Sequence, residues 1–579
     1  MNTTRTRPSF PPLAIAAIAA AVALAACDKP ATPTAAAPTT ATTPASTPAA
    51  TASAASPDAQ SAPVNTARTA GREHAESGIA WRYAANDGEV DAAFAGARDE
   101  NKPVFVYWGA KWCPPCNQVK ATLFNRQDFI ERSRAFVPVY VDGDSPGAQK
   151  IGARFKVSGY PTMVLFTPQG QEVTRLPGEV DPVRYTEVLT LGMNAARPVS
   201  AVLADALAKP ATLNANDWRL LAFYSWDTDH QQVVAKDRLA ATLLALADAA
   251  PKDAPEVTMR LRLKALVAAD AKKPVKVDAA TRAAVVALLG DESRTREQTD
   301  MVTNYAAEIV RAMSAKGSAE RATLVTAFDT ALKRLEADSA LSRADRMQAL
   351  IARVDLARID VPEADADAAP AKPAAPVVLP PELLADVREQ TARADREISD
   401  GYERQAVITA AAYLLERAGL GDESDALLKA NLAKSHSPYY LMSELASNAS
   451  KRGDKAEALR WYREAFEKSE GPATRLQWGA SYVGALVDLS PGDEAAIEAA
   501  TAQIWSEAAD QPDAFYERSA RSLQKIGAKL QAWNKGGAHR AAMARLQGQL
   551  DTLCAAPTHS ASERSTCQAL LKTSAKTSA

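Results

Sequence analysis

The feature that most constrains this chain is a pair of cysteines, Cys113 and Cys116, placed where an apolar strand passes into a helix. Residues 103–108 are almost all apolar and predict a buried strand. Pro114 suits the first helical turn, because a residue there needs no N–H donor. Cys113 would then lie at the positive end of the helix dipole, which favours the thiolate over the thiol. The spacing and the setting together predict thiol–disulfide exchange.

A second motif, Gly159-Tyr160-Pro161-Thr162, stands directly before the apolar residues 163–166. A proline at the turn before a strand is a candidate for a cis peptide bond. Together with the cysteine pair, this motif resembles the thioredoxin family. The resemblance implies an α/β fold with a central sheet and helices on both faces.

The expected thioredoxin-like domain covers residues 78–196, where helices alternate with short apolar strands. We expect strands at 79–83, 103–108, 136–141, 163–166 and 172–176, and helices at 91–100, 114–132, 148–155 and 182–194.

The resemblance also implies roles for the two cysteines. Cys113 is the expected nucleophile and forms a mixed disulfide with a partner protein, and Cys116 is the resolving thiol that releases the product. The backbone beside the proline would pair with the substrate chain, and the tryptophan before the first cysteine would either flank the site or serve only for packing. The expected substrate-binding residues are Trp112, Tyr160, Pro161 and Thr162.

One position departs from the family pattern. Thioredoxins commonly carry a buried acid six residues before the first cysteine, and this chain has Tyr107 there. Without that acid, the proton of Cys116 must go to water or to another group. Lys111 can favour the Cys113 thiolate electrostatically, or it can simply be a solvated surface charge.

A CxxC pair also occurs as half of a zinc site, but the sequence has no second such pair and no histidine near this one. We therefore predict no metal and no cofactor other than the redox-active disulfide Cys113–Cys116. Nucleic acid is not an expected partner, because 67 basic and 69 acidic residues nearly cancel and form no basic stripe. The two prolines inside the pair leave reduction, oxidation and isomerisation open.

The N-terminus has the pattern of an export signal, with basic residues before an Ala-rich apolar run that ends in Leu24-Ala-Ala-Cys27. That ending resembles the lipobox of bacterial lipoproteins and implies cleavage of residues 1–26 and lipidation of Cys27. The alternative is an ordinary signal peptide with an incidental cysteine. Asp28 resembles an inner-membrane retention signal, although the outer membrane stays open. We expect a periplasmic protein attached to a membrane through lipid only.

Residues 27–77 form the expected tether. Between residues 31 and 63 the sequence is almost entirely Ala, Thr, Pro and Ser, with no aromatic residue. Such a segment buries too little apolar surface to offset its ordering entropy, so we expect it to be disordered.

Two further cysteines, Cys554 and Cys567, lie near the C-terminus. In an exported protein they are expected to form a structural disulfide that closes a short loop. The alternative is a second redox pair, which lacks the tight spacing of the first.

After the thioredoxin-like domain the sequence predicts helices almost throughout, as a helical domain at 197–362, a linker at 363–381 and a second helical domain at 382–579. The second domain contains Gly-Asp pairs, each followed by an alanine at 426, 458 or 496. This spacing resembles a degenerate tetratricopeptide array, which implies a surface for peptide or protein binding. A helical bundle without a groove is the alternative.

The sequence therefore predicts a multidomain thiol–disulfide oxidoreductase. Its expected partners are protein thiols and disulfides of the periplasm, a redox partner that the sequence does not identify, and a peptide or protein bound by the helical repeats. The alternative is a non-catalytic scaffold or assembly lipoprotein, in which the thioredoxin fold and the repeats only dock partners.

Overall fold

The computed structural model describes residues 78–157, 159–176, 181–195, 197–226, 228–229, 233–269, 274–361, 378–557 and 559–572. The expected signal peptide, Cys27 and the expected tether all lie outside these residues, as does most of the predicted linker. Within the described ranges, none of the helices combines the length and apolarity needed to cross a bilayer.

A mixed five-stranded sheet forms the centre of the thioredoxin-like region, in the order β1-β3-β2-β4-β5. Strands β1, β3 and β2 run parallel, and β4 is antiparallel to both β2 and β5. The strands are β1 (Arg82–Tyr83), β2 (Val104–Gly109), β3 (Val137–Asp142), β4 (Thr162–Phe166) and β5 (Glu172–Leu176).

The central strand β2 is buried on both faces, because its side chains alternate between two apolar layers. Val104, Val106 and Trp108 pack with α1 and α4 on one face. Phe105 and Tyr107 pack with α2 and α5 on the other. These helices are α1 (Asp87–Asp99), α2 (Pro114–Thr122), α4 (Ala148–Phe155) and α5 (Pro182–Met193).

The sequence predicted one helix over residues 114–132, and the structure has two, α2 and then α3 (Gln127–Arg132). The carbonyl of Val119 accepts from the N–H groups of both Leu123 and Phe124, which closes the end of α2. Phe124 then turns into the core, with its ring 4.9 Å from that of Tyr107 and 5.1 Å from that of Trp81. Aromatic packing therefore breaks a segment whose local pattern is helical.

The first helical block, α6 to α15, shares a hydrophobic core with the sheet. Tyr185 and Leu189 of α5 lie in one cluster with Leu203 and Leu243. The core is therefore continuous across the predicted boundary after residue 196. The helices are α6 (Val199–Ala208), α7 (Ala215–Phe223), α8 (Lys236–Ala249), α9 (Pro255–Ala268), α10 (Ala279–Gly290), α11 (Glu292–Glu297), α12 (Thr299–Asn304), α13 (Ala306–Met313), α14 (Ala319–Ala337) and α15 (Arg343–Ala357).

The second helical block packs on α15 and on the thioredoxin-like domain. Its helix α17 lies directly against α2, the helix that begins at the cysteine pair. The helices are α16 (Pro381–Glu397), α17 (Gly401–Arg417), α18 (Gly421–Asn431), α19 (Pro438–Arg452), α20 (Lys455–Lys468), α21 (Pro472–Leu489), α22 (Glu494–Ala509), α23 (Glu517–Trp533), α24 (Arg540–Cys554) and α25 (Ala561–Ala569).

The three alanines of the sequence repeat occupy different environments. Ala458 is fully buried in α20, Ala496 is half-buried in α22, and Ala426 is exposed on α18. Helix α18 instead turns Ser424 inward, where its hydroxyl donates to the carbonyl of Ala412 at 2.8 Å. The repeated alanines thus all lie in helices, but the repeat does not determine which face of each helix is buried.

Candidate active site

The cysteine pair lies at the N-terminus of α2. The sulfur of Cys113 caps the helix by accepting a hydrogen bond from the N–H of Cys116 at 3.2 Å, and Pro114 is the first helical residue. The two cysteines form a disulfide, with their Cα atoms 5.2 Å apart. A helix N-terminus and a donated N–H both stabilise negative charge on sulfur, so this position favours a thiolate at Cys113 once the disulfide is reduced.

A buried asparagine holds the turn that carries the pair. Asn117 has no exposed surface, and its side-chain amide donates to the carbonyls of Lys111 and Cys113 at 2.9 and 2.8 Å. These bonds tie the segment before the first cysteine to the first turn of α2. The sequence analysis did not single out Asn117, although a polar residue directly after a CxxC pair is visible in the sequence.

The motif before β4 lies beside the end of β2, because Thr162 pairs with Trp108 across the two strands. The peptide bond between Tyr160 and Pro161 is cis, as the sequence predicted. The Thr162 hydroxyl donates to the carbonyl of Gly159 at 2.8 Å and closes the loop. The chain order thus brings the proline loop and the strand that leads to the cysteines to the same end of the sheet.

The tryptophan before the cysteines is enclosed by the second helical block. The rings of Trp112 and Tyr440 stack with centroids 5.9 Å apart, and Trp478 meets Trp112 edge-on at 5.1 Å. The guanidinium of Arg518 lies 5.3 Å from the Trp112 ring and 5.2 Å from the Tyr160 ring. Trp112 therefore packs against residues from α19, α21 and α23, which no local sequence pattern connects to it.

Both cysteines are covered by the same packing of the second helical block on the thioredoxin-like domain. Cys113 is 2% exposed and Cys116 has no exposed surface. Among the described residues, the other buried members of their hydrophobic cluster are Ala110, Trp112 and side chains from residues 412–571.

Polar contacts surround this aromatic centre. The carboxylate of Asp144 accepts from the Arg518 guanidinium at 2.6 Å and from the hydroxyl of Thr474 at 2.7 Å. The backbone N–H of Gln149 donates to Asp513 at 2.7 Å, and the Gln149 side-chain oxygen accepts from the N–H of Arg518 at 3.0 Å. The loop after β3 and the start of α4 are thereby bonded to α21, to α23 and to the segment before α23.

The position where thioredoxins carry an acid is occupied by a buried tyrosine packed among aromatic rings. Tyr107 is fully buried, its hydroxyl has no hydrogen-bond partner among the described residues, and burial raises its pKa well above the ordinary range. Asp142 ends the neighbouring strand β3, and its charge is among the causes that raise the pKa of Tyr107. Burial and the adjacent Asp144 carboxylate raise the pKa of Asp142 to about 6, against the effect of the Lys120 ammonium on α2.

Lys111 has a counter-charge in the helical region. Its ammonium lies 3.5 Å from the carboxylate of Glu470, and both side chains are largely exposed. The Lys111 carbonyl lies 3.1 Å from the Nε2 atom of His436. Because an exposed ion pair is well screened, the effect of Lys111 on the charge of Cys113 is small.

The C-terminal cysteines are joined to each other. Cys554 at the end of α24 and Cys567 in α25 form a disulfide, with Cα atoms 5.6 Å apart, and both are buried. The described part of the chain contains no group of three or more His, Cys, Asp or Glu residues placed to hold a metal ion.

Comparison with known proteins places the similarity in the region that contains this site. A family model described as a thioredoxin-like domain matches residues 90–192. The chain is 34% identical over 90 residues to thioredoxin of Mycobacterium tuberculosis (strain H37Rv), an alignment that covers 15% of this chain and 73% of that protein.

Two longer relatives share only part of their length with this chain. The thiol:disulfide interchange protein DsbD 1 of Pseudomonas aeruginosa is 28% identical over 113 residues, which is 19% of each chain. The thiol:disulfide interchange protein DsbD of Pseudomonas fluorescens is 29% identical over 97 residues, which is 16% of this chain and 17% of that protein. The chain thus spans less than a fifth of either relative.

Proposed function

The chain belongs to the thioredoxin family, and from that premise we propose that it is a lipid-anchored oxidoreductase that exchanges disulfides with proteins of the periplasm. The fold and the close cysteine pair support thiol–disulfide oxidoreductase activity in general. We further propose that the substrates are proteins, that the compartment is the periplasm and that lipid attached to Cys27 is the anchor.

The proposed reaction is a two-electron exchange. The Cys113 thiolate attacks one sulfur of a partner disulfide, the partner's other sulfur leaves as a thiolate that takes a proton, and a mixed disulfide remains. The Cys116 thiolate then attacks the sulfur of Cys113 and releases the second partner thiol. The partner is reduced and the pair becomes the disulfide Cys113–Cys116, which a dithiol redox partner reduces again. Run in the opposite direction, the same steps oxidise a partner.

The main support is the position of Cys113. Its sulfur accepts the N–H of Cys116 at the start of α2, where the thiolate form is favoured. Trp112, Tyr160, Pro161 and Thr162 are the proposed substrate contacts. The repeats of the second helical block are the proposed surface for a peptide or protein partner.

The test traps the mixed disulfide. Cys116→Ser removes the resolving thiol, so partner proteins should accumulate on Cys113 in cells and separate from it when a thiol is added. The matched control is the double variant Cys113→Ser/Cys116→Ser, which should trap none. An equal yield of thiol-sensitive complexes from the two variants would show that Cys113 is not the nucleophile.

One observation favours a second candidate function, that of a non-catalytic scaffold. The cysteine pair is covered by the helical block, as a disulfide with a purely structural role would be. A scaffold predicts that partners bind the double variant as well as the native protein, without any covalent link. An oxidoreductase predicts thiol-sensitive complexes through Cys113 alone.

A further inference from the structure

The surface around the redox pair is already occupied by the chain itself. In this conformation a partner thiolate has no line of approach to the sulfur of Cys113, which is 2% exposed, or to that of Cys116, which has no exposed surface. Exchange requires direct attack of one sulfur on another, so access to the disulfide controls the rate. The second helical block therefore lies where a protein substrate has to bind.

The contact covers α2 and Trp112 and reaches Tyr160 of the proposed substrate surface. Helix α17 lies along α2, and the Trp112 ring is enclosed by Tyr440 and Trp478. The Arg518 guanidinium reaches both Trp112 and Tyr160, so one side chain spans the cysteine motif and the proline loop.

An ion pair holds Arg518 against the redox face, which is the surface formed by the cysteine motif, the proline loop and the loop after β3. Its guanidinium lies 2.6 Å from Asp144, and the two side chains are 9% and 12% exposed. Separating the helical block from the sheet breaks this pair and hydrates both charges. If Arg518 is replaced while the contact stays closed, the Asp144 carboxylate remains buried without its charged partner. A buried charge without its partner is strongly destabilising, so the closed form loses stability.

The contact also leaves polar groups without partners. The indole N–H of Trp112 and the Nε of Arg518 are buried, and neither has a hydrogen-bond partner among the described residues. Water or a bound chain can satisfy both donors once the contact opens, which lowers the cost of opening. Aromatic rings at the centre with polar groups around them are also the composition of interfaces between separate proteins.

We propose that helices α17 to α23 are an intramolecular cover that occupies the substrate-docking surface of the redox pair, and that Arg518 is the positioning residue that holds it closed. The inference rests on the proposed function, because only an exchange site needs to be uncovered. Partner proteins gain access to Cys113 when the helical block separates from α2 and from the loop after β3.

The experiment follows the reduction of the Cys113–Cys116 disulfide in the full chain by dithiothreitol, quenched by alkylation and read on the Cys113 peptide by mass spectrometry. In the folded protein we expect reduction at least about 100-fold slower than in the urea-unfolded chain, because only the opened fraction reacts. Arg518→Gln should accelerate reduction of the folded protein about tenfold or more, because it destabilises the closed form and not the open form. In the closed form Asp144 stays buried without its charged partner, whereas in the open form water hydrates it. Arg518→Lys, which keeps the charge, should restore part of the protection.

The matched control is Arg353→Gln. Arg353 is also a buried arginine, and it pairs with Asp329, Glu336 and Asp386 away from the redox face. This variant should lower the free energy of unfolding without accelerating reduction. Thr474→Val, which removes one hydrogen bond to Asp144, should give a smaller acceleration and is the milder variant if Arg518→Gln does not fold. Equal rates in the folded and unfolded chains, or equal acceleration by the two arginine variants, would overturn the cover.

A second measurement separates the cover from the proposed function. The Cys116→Ser variant is mixed with insulin as a protein disulfide, with and without Arg518→Gln, and the mixed disulfide through Cys113 is quantified. We expect Arg518→Gln to increase its rate of formation. If Cys113 forms mixed disulfides equally fast in both backgrounds, the cover is wrong and the oxidoreductase stands. If Arg518→Gln accelerates reduction by dithiothreitol but no mixed disulfide forms, the exchange function is wrong, and the contact through Arg518 limits only the access of small reagents to the disulfide.

Discussion

The carboxylate of Asp144 and the guanidinium of Arg518 lie 2.6 Å apart and join segments that are 374 residues apart in the chain. Asp144 belongs to the loop that follows β3, and Arg518 belongs to α23. Since β2 and β3 run parallel, this loop lies at the end of the sheet from which the cysteine motif also emerges. The conformation of the redox face therefore depends on a helix near the C-terminus.

Asp142, the last residue of β3 and directly before this loop, carries a carboxyl whose ionisation opposes folding. Burial and the Asp144 carboxylate raise the pKa of Asp142 from its ordinary value of 3.8 to about 6. A raised pKa means that the folded chain holds the proton more tightly than the unfolded chain. The stabilisation is therefore complete below about pH 3.8 and is lost as the pH rises through about 6.

Asp142→Asn should accordingly increase the free energy of unfolding at pH 8 and change it little near pH 4. An asparagine oxygen can still accept the hydrogen bond that Asp142 receives from the N–H of Asp144. Urea unfolding at the two pH values measures the difference, and Asp99→Asn on the exposed end of α1 gives the baseline for removal of one charge. A smaller gain at pH 8 than at pH 4 would contradict this account of Asp142.

The two thiols of the reduced protein should differ in reactivity. Cys113 accepts the N–H of Cys116 and caps α2, whereas Cys116 lies inside the first turn. We expect alkylation of Cys113 by iodoacetamide near neutral pH to be about tenfold faster than that of Cys116, because the helix terminus lowers the thiol pKa. Peptide mass spectrometry of partly labelled protein gives both rates. Equal rates, or a faster Cys116, would overturn the assignment of Cys113 as nucleophile and Cys116 as resolving thiol.

Local sequence patterns were sufficient for the sheet and for the placement of the motifs. The apolar run of β2, the proline at the start of α2 and the proline before β4 are all short-range signals. The break between α2 and α3 was missed because it depends on Phe124 packing against Tyr107 and Trp81, which are distant in the chain.

The covered state of the redox pair could not be predicted from the sequence. Arg518 stands in a helix with many polar residues, where an arginine is ordinarily a solvated charge, and Trp478 stands in the largely apolar segment 478–489, where a tryptophan is ordinarily a core residue. Both descriptions are incomplete, since each side chain also contacts Trp112. No periodicity within a helix specifies which distant strand or loop that helix meets.

The proposed lipid anchor is tested at Cys27. Cys27→Ser removes the sulfur to which lipid would be attached, so the protein should move from the membrane fraction to the soluble periplasmic fraction or keep its first 26 residues. Asp28→Ser is the matched variant, because it keeps the cysteine and should change only the choice between inner and outer membrane. Fractionation and the mass of the N-terminal peptide give the result. Normal cleavage with unchanged membrane attachment in Cys27→Ser would show that lipid is not the anchor.

The C-terminal disulfide should stabilise the cover as well as the fold. Cys554 and Cys567 close a loop between α24 and α25, and the residue after α25, Leu570, lies against α23 at Gly527. Removal of a disulfide with a loop of this size costs about 3 kcal/mol of stability, because the unfolded chain gains entropy. We therefore expect Cys554→Ala/Cys567→Ala to lower the free energy of unfolding by about that amount in urea titrations.

A second measurement on Cys554→Ala/Cys567→Ala distinguishes destabilisation of the contact around α23 from destabilisation of the whole fold. Since α23 carries Arg518, loosening its support should also accelerate reduction of the Cys113–Cys116 disulfide by dithiothreitol in the folded chain. Arg353→Gln again supplies the comparison, because it destabilises the chain at a site away from α23. If the double variant is less stable but its redox disulfide is reduced no faster than in the native protein, α25 supports the fold without holding Arg518 in place.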